Sequence, residues 1–281
     1  SRLSHGVRAA GMMRRCLNEA MMAARTRDVF GEMIINKLLL RRQLLKIMVP
    51  TEQVLSMVMH VSNTLHRAEQ GDEGAKLQNR ILTALLKFRA CRDNITVATG
   101  ALEVRGGNGF IEDWVNSRLV RDAHTGLLWE GTSNINALDV TTRAIAKAGA
   151  HEALAEDMKS RLDSTDGVPG QYAGELSGLI DRATKFADEI AATGNEIKAR
   201  QASNALYHAT SATLLATEGA TLGRAGGDAR RMLLSRLVVD TRLRAVDPLT
   251  NSDGSFEIEA GNYLLSNAPV PLDVATDLLR L

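Results

Sequence analysis

The chain has 281 residues, of which 44% are hydrophobic and 24% charged, with a formal net charge of +1. This length and balance predict a globular fold with a substantial core, in one large domain or two small ones. The near-neutral charge excludes a globally basic chain, so any nucleic-acid or membrane partner would have to be recognised by local features. Aromatic residues are scarce at 4%, which favours helices over sheets.

Cysteine usage and the start of the chain bear on its compartment. Cys16 and Cys91 stand in no CxxC or Cys/His spacing, so we predict buried thiols and no metal site. No apolar run reaches the ~20 residues of a membrane span, and the start lacks a signal peptide's apolar core and cleavage site. The chain is therefore expected to be soluble and cytoplasmic.

Three long segments at the start have apolar residues at every third or fourth position, which predicts amphipathic helices over residues 3–27, 33–68 and 76–105. Pro50 lies inside the second segment and would either kink one helix or start a new one; we favour the kink. Phe30-Gly31 and the polar residues 70–74 would separate the segments. Long helices joined by short turns predict an up-and-down bundle.

The next residues alternate loops with shorter helices. Residues 106–110 are too glycine-rich for a helix, and a short helical run follows over residues 114–124. A loop at Trp129-Glu130-Gly131 precedes Thr132-Ser133-Asn134, whose side chains are expected to cap a helix over residues 135–147. The first part of the fold would thus end near residue 148.

Beyond Gly149 the pattern indicates a helical extension. Helices are predicted over residues 174–192 and 196–222, followed by a basic helix over residues 228–245. The end of the chain contains Pro, Gly and Asn residues and is expected to be mostly irregular. The prediction is an all-α chain with a bundle over residues 1–148 and a helical extension over residues 149–281.

Two groups of residues carry a resemblance to a known family. The first is Arg27-Asp28-Val29-Phe30-Gly31, and the second runs from Ala101 to Asn134 and includes Gly106-Gly107 and Trp129-Glu130-Gly131-Thr132-Ser133-Asn134. Their order and spacing resemble the C-terminal helical domain of the acyl-CoA dehydrogenase family. The long tail and the tryptophan before Glu130 are more similar to its AidB-like branch, which carries a C-terminal helical extension.

The resemblance implies an FAD-dependent oxidoreductase with Glu130 as catalytic base. Such an enzyme removes the α proton of an acyl-CoA while the β hydride passes to flavin, giving a 2-enoyl-CoA. The base must lie within hydrogen-bond reach of the α carbon, in a dry slot that raises its pKa. By spacing alone, Glu130 would more often complement the positive end of the following helix.

The same resemblance implies a set of cofactor and substrate contacts. Arg27 matches an arginine that reaches the FAD pyrophosphate of a neighbouring subunit, and the other expected FAD contacts are Phe30, Glu103, Gly106, Gly107, Thr132 and Asn134. Arg2 and Gly131 would lie near the acyl-CoA. The chain departs from the family at Leu38, where a glutamine is common. By spacing alone, Arg27 would be a surface charge, Gly106-Gly107 an ordinary turn and Thr132 a helix cap.

The resemblance also implies partners and further domains. Nothing in the chain is similar to the family's N-terminal helical domain or its β domain, so this sequence is expected to be part of a longer protein. The expected partners are an acyl-CoA, an electron-transfer flavoprotein or other acceptor, and copies of the same chain in a homodimer or homotetramer.

Two other hypotheses remain open. One is an AidB-like flavoprotein that binds DNA in an alkylation response, using Arg143 and the basic helix, which carries Arg224, Arg230, Arg231, Arg236, Arg242 and Arg244. A charged helix face is more often only solvated. The other hypothesis is a noncatalytic helical module that mediates oligomerisation.

Overall fold

A computed structural model describes residues 1–247, 249 and 254–280, and in this part of the chain the fold is helical, with one two-stranded hairpin. The predicted all-α class is confirmed. The strands are β1 (Asp28–Val29) and β2 (Glu32–Met33), and the helices are α1 (Arg2–Thr26), α2 (Leu38–Glu69), α3 (Glu73–Arg105), α4 (Val115–Leu128), α5 (Ser133–Asp139), α6 (Ala150–Ser164), α7 (Gly170–Ala192), α8 (Ala199–Arg224), α9 (Arg230–Val238), α10 (Ser255–Leu264) and α11 (Leu272–Arg280).

The first three helices form the predicted bundle. α2 continues through Pro50 as one helix, as expected from the favoured alternative. α3 begins after Asp72, whose carboxylate accepts a hydrogen bond of 2.9 Å from the Ala75 amide, and this cap satisfies one free donor at the helix start. α1 and α3 run parallel. Gly6, near the start of α1, lies against Leu86, and Glu19, further along α1, pairs with Arg105 at the end of α3.

Several predicted boundaries are wrong. α2 begins at Leu38 rather than at residue 33, because Met33 belongs to the hairpin and residues Ile34–Asn36 form a short 3-10 turn. α6 was not among the predicted helices. The end of the chain is not mostly irregular within its described residues: α10 and α11 form there, and Pro271 directly precedes α11, a position where proline is compatible with a helix start.

The second half of the chain packs on the bundle mainly through α6, which contacts α3, and α8, which contacts α2 and α3. Buried side chains of both halves belong to one continuous hydrophobic core. In the second half, Tyr172 and Ser235 share a hydrogen bond of 2.8 Å, and the Ser235 hydroxyl donates to the carbonyl of Ala212 at 2.7 Å. These three residues join α7, α9 and α8. The division at residue 148 remains a prediction.

Both cysteines are buried and unpaired, as predicted. Burial raises the pKa of the Cys16 thiol to about 12, so this thiol stays protonated and unreactive at neutral pH. In the described part of the chain, every helix is too short or too polar to cross a membrane.

We expect Gly219→Ala to destabilise the protein, because α8 and α9 are in backbone contact at this glycine. A Cβ on Gly219 would lie 2.6 Å from the backbone nitrogen of Met232, and such overpacking costs about 1–3 kcal/mol. Gly178 on α7 is the matched control: a Cβ there meets nothing within 4 Å, so Gly178→Ala should stabilise the helix by roughly 0.5–1 kcal/mol. The urea concentration at the unfolding midpoint tests both variants. An equal rise in this midpoint for Gly219→Ala and Gly178→Ala would contradict close packing at Gly219.

Candidate functional site

The loop between α4 and α5 presents Glu130 in a strained backbone conformation. The backbone angle φ is +55° at Glu130 and +92° at Gly131. Glu130 therefore has a Cβ in a left-handed conformation that favours glycine. Its side chain is exposed, so the residues of this chain do not themselves enclose the carboxylate. Backbone strain of this kind persists only where neighbouring groups hold the loop.

Two buried side chains hold that loop. The Lys87 ammonium, on a residue only 2% exposed, donates to the carbonyl of Gly126 at 2.9 Å and to that of Gly131 at 3.2 Å. The Asn136 amide donates to the carbonyls of Gly131 at 2.7 Å and Thr132 at 2.9 Å. The carbonyls before and after Glu130 are therefore fixed from α3 and α5. Neither Lys87 nor Asn136 was predicted as a site residue.

The start of α1 covers the other side of the loop. The ring of His5 meets the ring of Trp129 edge-on, with centroids 5.9 Å apart, and the Arg8 guanidinium lies 4.8 Å from the Trp129 ring centre. Partial burial and then the Lys87 charge lower the pKa of His5, whereas the Glu130 charge acts to raise it. His5 is therefore close enough to sense the carboxylate electrostatically.

The predicted substrate residue Arg2 is engaged in an ion-pair network. Its guanidinium and that of Arg80 both bind the Asp139 carboxylate, Arg80 at 2.9 and 3.0 Å. Burial acts to raise the pKa of Asp139, but the hydrogen bonds from Arg80 and Arg2 outweigh it and lower this pKa to about 2. The network ties the start of α1 and the side chain of Arg80 on α3 to Asp139, the last residue of α5. α5 is the helix that follows the Glu130 loop.

The predicted capping of the helix after the loop is wrong. α5 begins at Ser133, and its N-cap Thr132 makes no side-chain capping bond. The Ser133 hydroxyl instead accepts a hydrogen bond of 3.2 Å from Arg92. The side chains of Thr132 and Asn134 are exposed, so both remain available for contacts outside this chain.

A second group of predicted residues lies just beyond the other end of α1. The Arg27 guanidinium donates to the carbonyl of Arg105 at 3.0 Å. Gly106 has φ 67, and a Cβ there would lie 2.9 Å from Nη1 of Arg27. Because Gly106 has no side chain, the Arg27 guanidinium can lie against its backbone. A Cβ on the neighbouring Gly107 would meet nothing within 4 Å.

The remaining predicted contacts flank this group. Phe30 occupies the turn of the hairpin with φ 58 and is 93% exposed, an unusual placement for a large apolar ring. Glu103 accepts a hydrogen bond of 3.1 Å from the Gln43 amide. Leu38, at the position where the family often has glutamine, is also exposed.

The two groups are far apart because α1 separates them. His5 lies beside the Glu130 loop, and Arg27 follows the last residue of the same helix. At 1.5 Å per residue, this part of α1 spans about 30 Å. One end of the bundle therefore carries Glu130, Gly131, Thr132 and Asn134, and the other carries Arg27, Phe30, Glu103, Gly106 and Gly107.

Comparisons with known sequences match the first half of the chain. The family model described as acyl-CoA dehydrogenase, C-terminal domain, matches residues 1–145. AidB of Escherichia coli (strain K12) is 31% identical over 145 residues, covering 52% of this chain and 26% of AidB. Acyl-CoA dehydrogenase family member 11 of Caenorhabditis elegans is 30% identical over 142 residues, covering 50% and 23%. The chain thus spans about a quarter of the length of these relatives.

Solved structures extend the likeness in fold to the second half. Caenorhabditis elegans ACDH-11 in complex with C11-CoA superposes with a TM-score of 0.76 at 23% identity, over 88% of this chain and 43% of that one. Bacillus anthracis acyl-CoA dehydrogenase complexed with FAD superposes with a TM-score of 0.71 at 16% identity, over 99% and 55%. Helices beyond residue 148 therefore belong to an architecture that these structures share.

We expect Lys87→Met to loosen the Glu130 loop, because the carbonyls of Gly126 and Gly131 lose their buried donor. Unsatisfied buried groups cost about 1–3 kcal/mol each. Hydrogen exchange of residues 126–132 should accelerate, and the free energy of unfolding should fall. Lys46→Met, on an exposed position of α2, is the control and should stay within about 0.5 kcal/mol of wild type. Unchanged loop exchange in Lys87→Met would show that the lysine does not hold the loop.

The Asp139 network should give a pH-dependent contribution to stability. Its folded-state pKa of about 2 lies below the ~3.9 of an unfolded aspartate, so the contribution is complete above that value and is lost as the pH falls towards 2. We expect Asp139→Asn to reduce the free energy of unfolding most above pH ~4 and progressively less below it. Asp277→Asn, which breaks an exposed pair with Arg280, should cost under about 1 kcal/mol. If the free energy of unfolding changed with pH in the same way for wild type and Asp139→Asn, this role of Asp139 would be refuted.

Proposed function

Because the chain belongs to the acyl-CoA dehydrogenase family, we propose that it is the C-terminal part of an FAD-dependent enzyme that converts an acyl-CoA into a 2-enoyl-CoA. The observation that carries this proposal is the strained and doubly anchored loop of Glu130. A base that removes a weakly acidic proton must be positioned within a few tenths of an ångström. The contacts from Lys87 and Asn136 provide that positioning.

Within this proposal, Glu130 takes the α proton and FAD accepts the β hydride. Gly131 allows the substrate to approach the loop backbone closely. Glu130 is exposed in this chain, so the dry slot that a catalytic carboxylate requires would be completed by other domains. The N-terminal helical domain and β domain of the family are the natural source, since this chain spans about a quarter of its curated relatives.

The residues present fit an FAD that is shared between subunits. Arg27 offers a guanidinium beside Gly106, where the absent Cβ leaves the backbone accessible, and such a group suits a pyrophosphate. Phe30 offers an exposed ring nearby. Since about 30 Å of helix separates Arg27 from Glu130, the two would contact different FAD molecules. This separation supports a homodimer or homotetramer, with Arg2 serving the acyl-CoA site indirectly through Asp139.

The rest of the proposal follows the family. An electron-transfer flavoprotein or another acceptor would reoxidise the flavin, and we place the enzyme in the cytoplasm. The acyl-CoA substrate is supported by the C11-CoA complex of ACDH-11, whose fold this chain shares.

DNA binding through the basic helix is less well supported. Five of its six predicted arginines have carboxylate partners within the chain: Arg224 with Asp166, Arg230 with Asp228, Arg231 with Glu52 and Glu218, Arg236 with Asp240, and Arg244 with Glu175 and Asp240. Binding phosphates would require these pairs to open. Arg143 is 69% exposed and lies 3.8 Å from Asp139. It and Arg242, the sixth arginine of the helix, remain available, but two arginines do not form a DNA surface.

We expect Glu130→Gln to slow flavin reduction by acyl-CoA strongly in the full-length protein without loss of bound FAD. The amide cannot accept the α proton, and removing a general base typically slows the reaction by about 100-fold to 10,000-fold. An anaerobic titration with a panel of acyl-CoAs, followed by flavin absorbance, measures the rate.

The control is Glu69→Gln, which neutralises an exposed glutamate at the end of α2 and should leave the rate unchanged. If wild-type flavin is reduced and Glu130→Gln reduces it equally fast, Glu130 is not the base. If no acyl-CoA reduces wild-type flavin, the dehydrogenase proposal fails and the AidB-like alternative becomes the stronger one.

A further inference from the structure

A cleft of about 720 Å³ opens between α7, α8 and the π-helical turn Val239–Leu243 that follows α9. Its walls carry the cations Arg89, Arg182, Lys185 and Arg242 against one carboxylate, Glu189. We call this the basic cleft. The whole chain has a formal net charge of only +1, so the excess of positive charge here is local.

Three of these cations have no carboxylate partner within the described part of the chain. Arg89 is paired with Asp93 and also donates to Asn204 at 2.9 Å. Arg182, Lys185 and Arg242 form no ion pair among the described residues, although Arg242 is close enough to the buried Asp93 for its charge to act to lower the pKa of that carboxyl. Their charges are therefore free to bind an anion from outside.

The free cations of α7 result from how its carboxylates are used. Asp181 pairs with Lys159, and Asp188 lies 3.4 Å from His151. Lys159 and His151 belong to α6, on the side of α7 away from the basic cleft. Asp181 and Asp188 therefore contact α6, and neither pairs with Arg182 or Lys185, which line the basic cleft.

The remaining walls are apolar or neutral. Leu179, Ala183, Phe186 and Leu243 form an apolar surface. His208 lines the floor, and its Nδ1 lies 3.1 Å from the Gln53 amide. Burial and then the charges of Arg89 and Arg242 hold the pKa of His208 well below its usual range, so the imidazole is neutral and adds no charge to the site.

We propose that the basic cleft binds a small organic polyphosphate, with Arg182, Lys185 and Arg242 contacting the phosphates and Phe186 and Leu243 packing on the organic part. Guanidinium groups bind phosphate oxygens in pairs, and three free cations match a multiply charged anion better than a single carboxylate. The volume lies within the roughly 300–1,000 Å³ typical of small-molecule pockets. The cations surround one concavity and do not form a stripe, so a small molecule fits better than a duplex.

Calorimetric titration of the full-length, FAD-loaded protein with ATP as the probe tests the proposal. We expect saturable binding that weakens at least about 10-fold in the double variant Arg182→Ala/Arg242→Ala, because two charge-assisted contacts are lost. Both arginines are exposed, so the fold should be retained. Inorganic tripolyphosphate should bind less tightly than ATP because it lacks an organic part. The charge-matched control, Lys46→Met/Arg118→Met, changes two exposed cations outside the basic cleft and should bind ATP like wild type.

Three results would overturn the proposal. The first is the absence of ATP binding to the wild-type protein, and the second is equal ATP affinity in the Arg182→Ala/Arg242→Ala variant. The third is salt-dependent binding of duplex DNA that this variant loses while ATP does not compete, which would assign the cleft to nucleic acid. None of these depends on acyl-CoA oxidation, so this test and that of Glu130 fail independently.

Discussion

The parallel packing of α1 on α3 fixes the positions of both groups of predicted site residues. Gly6 makes the close approach feasible, since a Cβ there would lie 2.5 Å from Cδ2 of Leu86. At this end, α3 brings Lys87 under the Glu130 loop. At the far end, the carbonyl of Arg105 receives the Arg27 guanidinium. Both ends are therefore positioned by a rigid helix pair, even though every predicted contact lies in or beside a loop.

A buried lysine is a costly way to hold a loop, and its chemistry explains why it is suited to this one. An ammonium has three donors on a long, flexible side chain, and Lys87 reaches the carbonyls of Gly126 and Gly131 on the two sides of Glu130. Hydrogen bonds from a charged donor are stronger than neutral ones, which offsets part of the cost of removing the charge from water. Glu130 adopts its positive φ within this frame, so the strain in the loop is balanced by the hydrogen bonds of Lys87 and Asn136.

The local pattern was enough to predict the long helices but not the contacts between them. The end of α3 at Arg105 and the continuity of α2 through Pro50 follow from periodicity. The hairpin was missed because its strands have two residues each, too few to show alternation. α10 and α11 were missed because the surrounding Pro, Gly and Asn residues resemble a loop. Lys87 interrupts an apolar run, which was its only signal, and its partners lie about 40 residues away.

Charge clustering along the sequence was a poor guide to free charge in the fold. The predicted basic helix is rich in arginine, yet Asp240 lies four residues from both Arg236 and Arg244 and binds them, as i, i+4 pairs on a helix commonly do. α7 has only two cations, Arg182 and Lys185, against four carboxylates, Glu175, Asp181, Asp188 and Glu189, so its composition predicts a net negative helix. Asp181 and Asp188 contact Lys159 and His151 of α6, whereas Arg182 and Lys185 line the basic cleft. Tertiary competition for carboxylates, rather than local composition, decides where this protein can attract an anion.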